Sequence, residues 1–408
     1  MMQNIVYFAG AGLTKALQIP DFPVPLMYDF VQVMAEYIED PVIITTLAEL
    51  EEMHLYEWSD PQAARLAKLL IGRDSDRSPA NCAAFRVALK NRPAESIEDL
   101  LARIDEAQRN RSQREPRLPA LRFVYGINRV FAVVDWNVNA GPLQRFVREQ
   151  LTLHDSKHTF ISFNYDLVLD RAVQSVSQGS WDVARDYGIH IGFCTNHLPD
   201  TKQRDSEYFE VLQLEPSGSS DGRTTILKPN GSLNWLVPLE HPYEQIHHGL
   251  AFEQRNPTII VPLERGSQRL RYWSSVADFQ RACFSRQRKD VLPCIVPPLS
   301  VKHTSIDFLR NIRQQESSVI KDADVIYILG WSMPKSDSDQ IGLIEEAIAA
   351  RTKSLDRVVV VNRSAGVEYF SRIQKTFAVP AERLEIWNSG FIEFAGMSMR
   401  NRACVGLT

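Results

Sequence analysis

Ile5-Val6-Tyr7-Phe8-Ala9-Gly10-Ala11-Gly12-Leu13-Thr14 is the stretch whose reading decides the fold. Five β-favouring apolar residues run without alternation into glycines, the pattern of a strand buried on both faces of a parallel sheet. Glycine at a strand's carboxyl end lets the backbone approach a phosphate, with N–H groups pointing at the anion. A full GxGxxG spacing would need glycine at position 15, where the chain has Lys15. Taken alone, the fragment fits a plain strand-to-helix turn equally well.

Working outward, the same alternation returns later. Thr159 to Phe163 reads as a strand followed by a helix from Asp166 through Val176. Val325-Ile326-Tyr327-Ile328-Leu329-Gly330 is a strongly apolar strand, followed by a loop from Trp331 to Ser336. Asp337 and Gln340 then have the spacing of a capping box. A further helix-to-strand step gives Val358 to Val361 and Asn362. Between the first two strands the spacing is helical, through Phe30, Val33, Met34, Tyr37 and Ile38, then in Leu118 to Val134 and Pro142 to Leu151. Residues 185–300 read as irregular strands and loops, and Ser305 to Ile320 as a helix capped by Ser305. The expected fold is α/β: a Rossmann-like parallel sheet with a largely helical insert. Its limits are 1–29 and 156–397 for the sheet domain, 30–155 for the insert and 398–408 for a tail.

Composition bounds the function. The chain has 408 residues, 44% of them hydrophobic and 24% charged, which excludes disorder, collagen and a disulfide scaffold. With 46 Lys and Arg against 50 Asp and Glu, no overall positive field draws it to nucleic acid or anionic lipid. Five scattered cysteines without a CxxC pair point to a reducing cytoplasm and to no metal site. No run reaches the roughly 18 apolar residues of a membrane span, and no secretory signal is expected. The histidines lack metal-ligand spacing, so they read as surface or core residues. The arginine-rich stretches at 109–117 and 265–289 read as solvated faces.

Several spaced motifs go beyond composition. Gly10-Ala11-Gly12-Leu13-Thr14 and, four residues later, Ile19-Pro20-Asp21-Phe22 resemble the sirtuin signature, a GAG[IV]S turn followed by GIPDF. The departures are Thr14 for serine, Gln18 for glycine, and Pro23 where the deacetylases carry an NAD-contacting arginine. Ser162-Phe163-Asn164-Tyr165-Asp166 is similar to the family's TQNxD motif. By that resemblance Asn164 orients the reactive ribose or a water, and Asp166 with Asp21 binds the nicotinamide. From the residues alone, Asn164 and Asp166 equally suit an Asx turn and helix cap.

Lys228-Pro229-Asn230-Gly231-Ser232-Leu233-Asn234-Trp235 resembles the K-x-HGS-x-NW segment of a divergent, zinc-free sirtuin-like branch found in bacterial antiphage defence. Asn230 stands where that family has its catalytic histidine. A carboxamide has no proton-accepting pKa near neutrality, so Asn230 cannot act as that base and protein deacetylation is not expected. Gly330-Trp331-Ser332 matches the family's GxS turn at the NAD phosphates, Asn362 its ribose-contacting asparagine, and Ser389-Gly390-Phe391 its late adenine-side loop.

The resemblance implies NAD as substrate, contacted by Gly10, Ala11, Gly12, Thr14, Asp21, Phe22, Gly330, Ser332 and Asn362, with Asn164, Asp166 and Asn230 at the reacting end. It implies hydrolysis to nicotinamide and ADP-ribose by a defence effector. An activating partner, such as a HerA-type ATPase or another phage sensor, and a homo-oligomer are also implied. The alternative is a regulatory module that binds NAD or ADP-ribose without turnover, and a third reading is ADP-ribosyl transfer. His154 and His158 flank a strand start, and one of them is a candidate substitute base.

Overall fold

A computed structural model of the chain describes residues 2–26, 28–37, 41–52, 61–72, 78–93, 96–97, 99–100, 103, 126–127, 129–134, 137–153, 156–177, 186–187, 222–238, 261, 270, 291–295, 307–363 and 366–397. Strand β1 (Gln3–Ala9) leads into the short helix α1 (Ala11–Ala16). Helices α2 (Phe30–Glu36), α3 (Pro41–Glu52), α4 (Pro61–Gly72), α5 (Pro79–Lys90) and α6 (Gly141–Leu151) precede β2 (Ser156–Ser162). Helix α7 (Val168–Val176) and strands β3 (Thr224–Leu227), β4 (Gly231–Pro238) and β5 (Val291–Ile295) follow. The last third alternates regularly: α8 (Asp307–Asp322), β6 (Val325–Leu329), α9 (Ser338–Ala349), β7 (Arg357–Val361), α10 (Val367–Thr376), β8 (Leu384–Trp387) and α11 (Phe391–Gly396).

Six of these strands form one parallel sheet in the order β3-β2-β1-β6-β7-β8, and β4 pairs with β5 as a separate antiparallel ribbon. Numbered within the sheet alone, the order is 3-2-1-4-5-6. That is the doubly wound Rossmann order, in which the ligand crevice opens at the carboxyl ends of the strands where the order reverses. The chain is therefore an α/β, Rossmann-like protein, and its switch point lies at the ends of β1 and β6.

Unbroken apolar runs make these strands because both sheet faces are covered. Ile5, Val6, Tyr7, Phe8 and Ala9 are all buried. On one face Tyr7 stacks between its register partners Phe160 and Tyr327, with ring centroids 4.4 and 5.1 Å away. Phe146 of α6 closes that face against Tyr7 and Tyr327 edge-on. On the other face Phe8 stacks with Phe163 and Trp331. Each such ring contributes roughly 2 to 3 kcal/mol through burial alone.

Among the described residues no strand lies between β1 and β2; helices dominate the span, with turns, irregular segments and one isolated bridge between Ile19 and Phe22. Helices α2 to α5 pack on one another through Ile43, Leu47, Ala67, Leu70, Phe85 and Leu89. Helix α6 lies within the 30–155 span yet packs on the sheet through Phe146.

Two local expectations need correction. The capping box at α9 does not form: the Asp337 carboxylate accepts the Trp331 indole N–H at 2.9 Å, and the Gln340 amide donates to Glu316. Tertiary partners outcompete the local cap. Helix α7 begins at Val168 rather than Asp166, because Asp166 turns its Oδ1 onto the Val168 N–H at 3.0 Å. Ser305, residues 189–193, 208–212 and 258–260, the arginine-rich stretch at 109–117 and, apart from residue 270, the one at 265–289 lie outside the described residues. So do His154, His190, His197, His241, His247 and His248. Among the described residues no helix is long and apolar enough to cross a membrane.

Candidate functional site

The two turns at the switch point press directly on each other. Gly10 N–H donates to Leu329 O at 3.0 Å and Gly12 N–H to Gly330 O at 2.9 Å. A Cβ on Gly10 would stand 2.5 Å from the Trp331 Cα, and one on Gly12 would stand 2.7 Å from Gly330 O. The glycines are thus required by backbone meeting backbone. The expectation that both N–H groups face an anion is corrected, since each already has a carbonyl partner in the β6 turn. Leu13 N–H returns to Gly10 O at 2.9 Å, so among the first N–H groups of α1 the one at Ala11 has no backbone partner among the described residues.

From the end of β2, Asn164 reaches across to this turn. Its Nδ2 donates to Gly10 O at 3.0 Å and to Thr14 Oγ1 at 3.2 Å. Thr14 in turn donates its single hydroxyl hydrogen to Asp166 Oδ2 at 2.9 Å. A hydroxyl with its proton committed can only accept from Asn164, which fixes the amide orientation. Asn164 Oδ1 has no hydrogen-bond partner among the described residues, and the side chain keeps 8% of its surface exposed.

Asp166 plays a more internal part than the resemblance implies. It is 3% exposed, and both its carboxylate oxygens are taken, by Thr14 and by Val168 N–H. Burial raises its pKa, while the Lys228 charge and those two hydrogen bonds pull it down. The Asx-turn reading describes it. Lys228 lies beneath, fully buried, with Nζ 2.6 Å from Asp166 O and 3.1 Å from Asp170 Oδ2. Tyr187 donates to Asp170 Oδ1 at 2.6 Å. Asn230 is 7% exposed and points Nδ2 at Phe163 O, 3.4 Å away, so it lies beside the Asn164 turn.

The β6 turn is held by α10. Tyr369 donates its hydroxyl to Trp331 O, and Arg372 donates to Met333 O. Met333 is fully buried with φ 52°, and Gly330 has φ 63°, two left-handed residues within four positions. Such backbone persists only where its surroundings over-determine it. Burial pushes the Tyr369 phenol up to about 12, against a side-chain hydrogen bond from Asn362 that lowers it. Asn362, at the end of β7, is in this way coupled to the turn. Ser332 is exposed beyond it.

The structure thus gathers Gly10, Ala11, Gly12, Thr14, Asn164, Asp166, Asn230, Gly330 and Ser332 at adjoining strand ends. Asp21 is exposed on the turn after α1 and makes none of the hydrogen bonds above. Phe22 only closes the turn, with its N–H on Ile19 O at 3.2 Å. His158 is also excluded as the substitute base. It lies four residues before the end of β2, roughly 13 Å along the strand from the crevice. It is 2% exposed against the Tyr7 hydroxyl, and burial lowers its pKa to about 4. Among the described residues no group of three or more His, Cys, Asp or Glu could hold a metal ion. Sequence reasoning missed Asp170, Tyr187, Tyr369 and Arg372, whose roles depend on contacts across the fold. Lys228 was visible only as the first letter of a motif.

No family model matches the chain, and no curated protein matches it. Among solved structures, the chain is similar to a Sir2 homologue in complex with NAD. That likeness has 10% identity and a TM-score of 0.36, over 99% of this chain and 90% of that one. It is also similar to a mutant Sir2 homologue in complex with ADP-ribose, at 11% identity and a TM-score of 0.35, over 100% of this chain and 95% of that one. The fold rests on the strand order itself.

Proposed function

We propose that the chain is a sirtuin-like NAD glycohydrolase that releases nicotinamide and ADP-ribose, acting as an effector of antiphage defence. The observation that carries this reading is the Asn164 carboxamide. It stands at the switch point with Nδ2 locked on Gly10 O and Thr14 Oγ1 and with Oδ1 unpartnered among the described residues. A carbonyl oxygen so placed suits a ribose hydroxyl or an attacking water. The Ala11 N–H and the exposed Ser332 suit the phosphates, and Asn362 suits the far ribose.

The chemistry asks little of an acid or base. The bond between C1′ of the ribose and the nicotinamide nitrogen breaks with its electron pair going to the cationic ring, which becomes neutral. Water bonds to C1′ and loses a proton to solvent. The transition state is oxocarbenium-like, so fixed dipoles and positioning carry much of the barrier. Asn230 contributes a dipole and no proton acceptor, which favours slow turnover. The sequence resemblance, and no contact among the described residues, motivates an activating partner in trans such as a HerA-type ATPase, and a homo-oligomer.

The second reading, a regulatory module that binds NAD or ADP-ribose, is favoured by Asn230 itself. Calorimetric titration with NAD, followed by chromatography of the mixture, separates the two. Hydrolysis predicts nicotinamide and ADP-ribose in equal amounts. Saturable binding with NAD recovered intact supports the regulatory reading, and a mass increase on an acceptor would instead indicate ADP-ribosyl transfer.

A further inference from the structure

We propose that Lys228 is a positioning residue for the reacting end of the site, setting the Asn164 carboxamide through the backbone of the turn that carries it. This rests on the reading of Asn164 above. Segment 228–233 supplies a donor to three carbonyls of that turn. Asn230 Nδ2 faces Phe163 O at 3.4 Å, Leu233 N–H donates to Tyr165 O at 3.1 Å, and Lys228 Nζ donates to Asp166 O at 2.6 Å. Asn164 is flanked on both sides by these anchors, while its side chain is held from the opposite direction by Gly10 and Thr14.

The ammonium is the strongest of the three anchors. Lys228 and Asp170 are both fully buried, and a buried charge is tolerated only when paired and fully hydrogen-bonded. Asp170 is on α7, so the ammonium ties the turn to the helix that follows it, and the Tyr187 hydroxyl fixes the Asp170 carboxylate from behind. Apolar residues of similar volume would stabilise the core as well as the ion pair does. They would offer nothing to Asp166 O. The charged pair therefore serves the geometry of the turn.

The test is the double variant Lys228→Met/Asp170→Asn, which removes both charges of the buried pair, keeps an acceptor for Tyr187 and leaves Asp166 its hydrogen bonds from Thr14 and Val168. Its thermal melt establishes that it folds. Nicotinamide release from NAD is expected to fall in kcat on the order of a hundredfold, the cost of about 1 Å of misplacement, with KM unchanged. NMR exchange of the Asn164 side-chain amide is expected to quicken. Equal kcat, or an Asn164 amide that exchanges as in wild type, overturns the proposal. Should the wild type neither bind nor cleave NAD, the functional reading fails, and the Asn164 amide still decides the role of Lys228 by itself.

Discussion

Replacing Gly330 by alanine tests how the two turns at the switch point are joined. The residue has φ 63°, where an L side chain costs about 1 to 2 kcal/mol. The new Cβ would stand 2.2 Å from Leu13 N and 2.4 Å from Gly12 C, both backbone atoms that cannot rotate away. Overpacking of that kind typically costs a further 1 to 3 kcal/mol, about 2 to 5 kcal/mol in total. Relief means parting the turns, which breaks the bond from Gly12 N–H to Gly330 O and shifts Gly10 O, on which Asn164 Nδ2 depends. Urea unfolding followed by tryptophan fluorescence reads the loss of stability, since Trp331 is the neighbouring residue. Titration with ADP-ribose reads the site. A variant as stable as wild type that binds ADP-ribose equally well would refute the reasoning.

Gly342, in the middle of α9, meets nothing within 4 Å at its Cβ position, so Gly342→Ala is expected to stabilise the same urea transition by about 0.5 to 1 kcal/mol. His158 has its pKa lowered to about 4 by burial, against an unfolded value near 6.5, so the unfolded state binds the proton first. Its contribution is fully present above about pH 6.5 and is lost as pH falls through about 4, roughly 3 kcal/mol in all. Acid titration of His158→Gln should show a correspondingly shallower fall, and an identical profile would count against that assignment. Asn230→His should speed nicotinamide release and give it a dependence on pH around the ordinary histidine range, measured as a pH profile of kcat. A slower variant without that dependence would mean that position 230 does not face the reacting ribose.

The sheet was legible because its strands are buried on both faces. Ile5 to Ala9, Val325 to Leu329 and Val358 to Val361 are apolar runs ended by glycine or asparagine, and each forms a strand where expected. Their order was not legible, because parallel neighbours such as β1 and β6 are more than 300 residues apart along the chain. The glycines at 10 and 12 were visible as a turn, but their cause lies in Gly330, which no local pattern records. At α9 the local signal misled, since Asp337 and Gln340 found tertiary partners. Asn164 was legible as a polar residue at the end of β2 and Asp166 as a turn residue. What the sequence could not convey was the direction of each side chain, which follows from the Thr14 hydroxyl between them: it gives its single proton to Asp166 and accepts from Asn164.

Nicotinamide release from NAD by wild type and by Asn164→Ala is the most direct measurement of the central claim. The account predicts equal yields of nicotinamide and ADP-ribose from the wild type. The variant should melt close to the wild-type temperature, with turnover lower on the order of a hundredfold or more. Turnover by a folded Asn164→Ala protein equal to that of the wild type would contradict it.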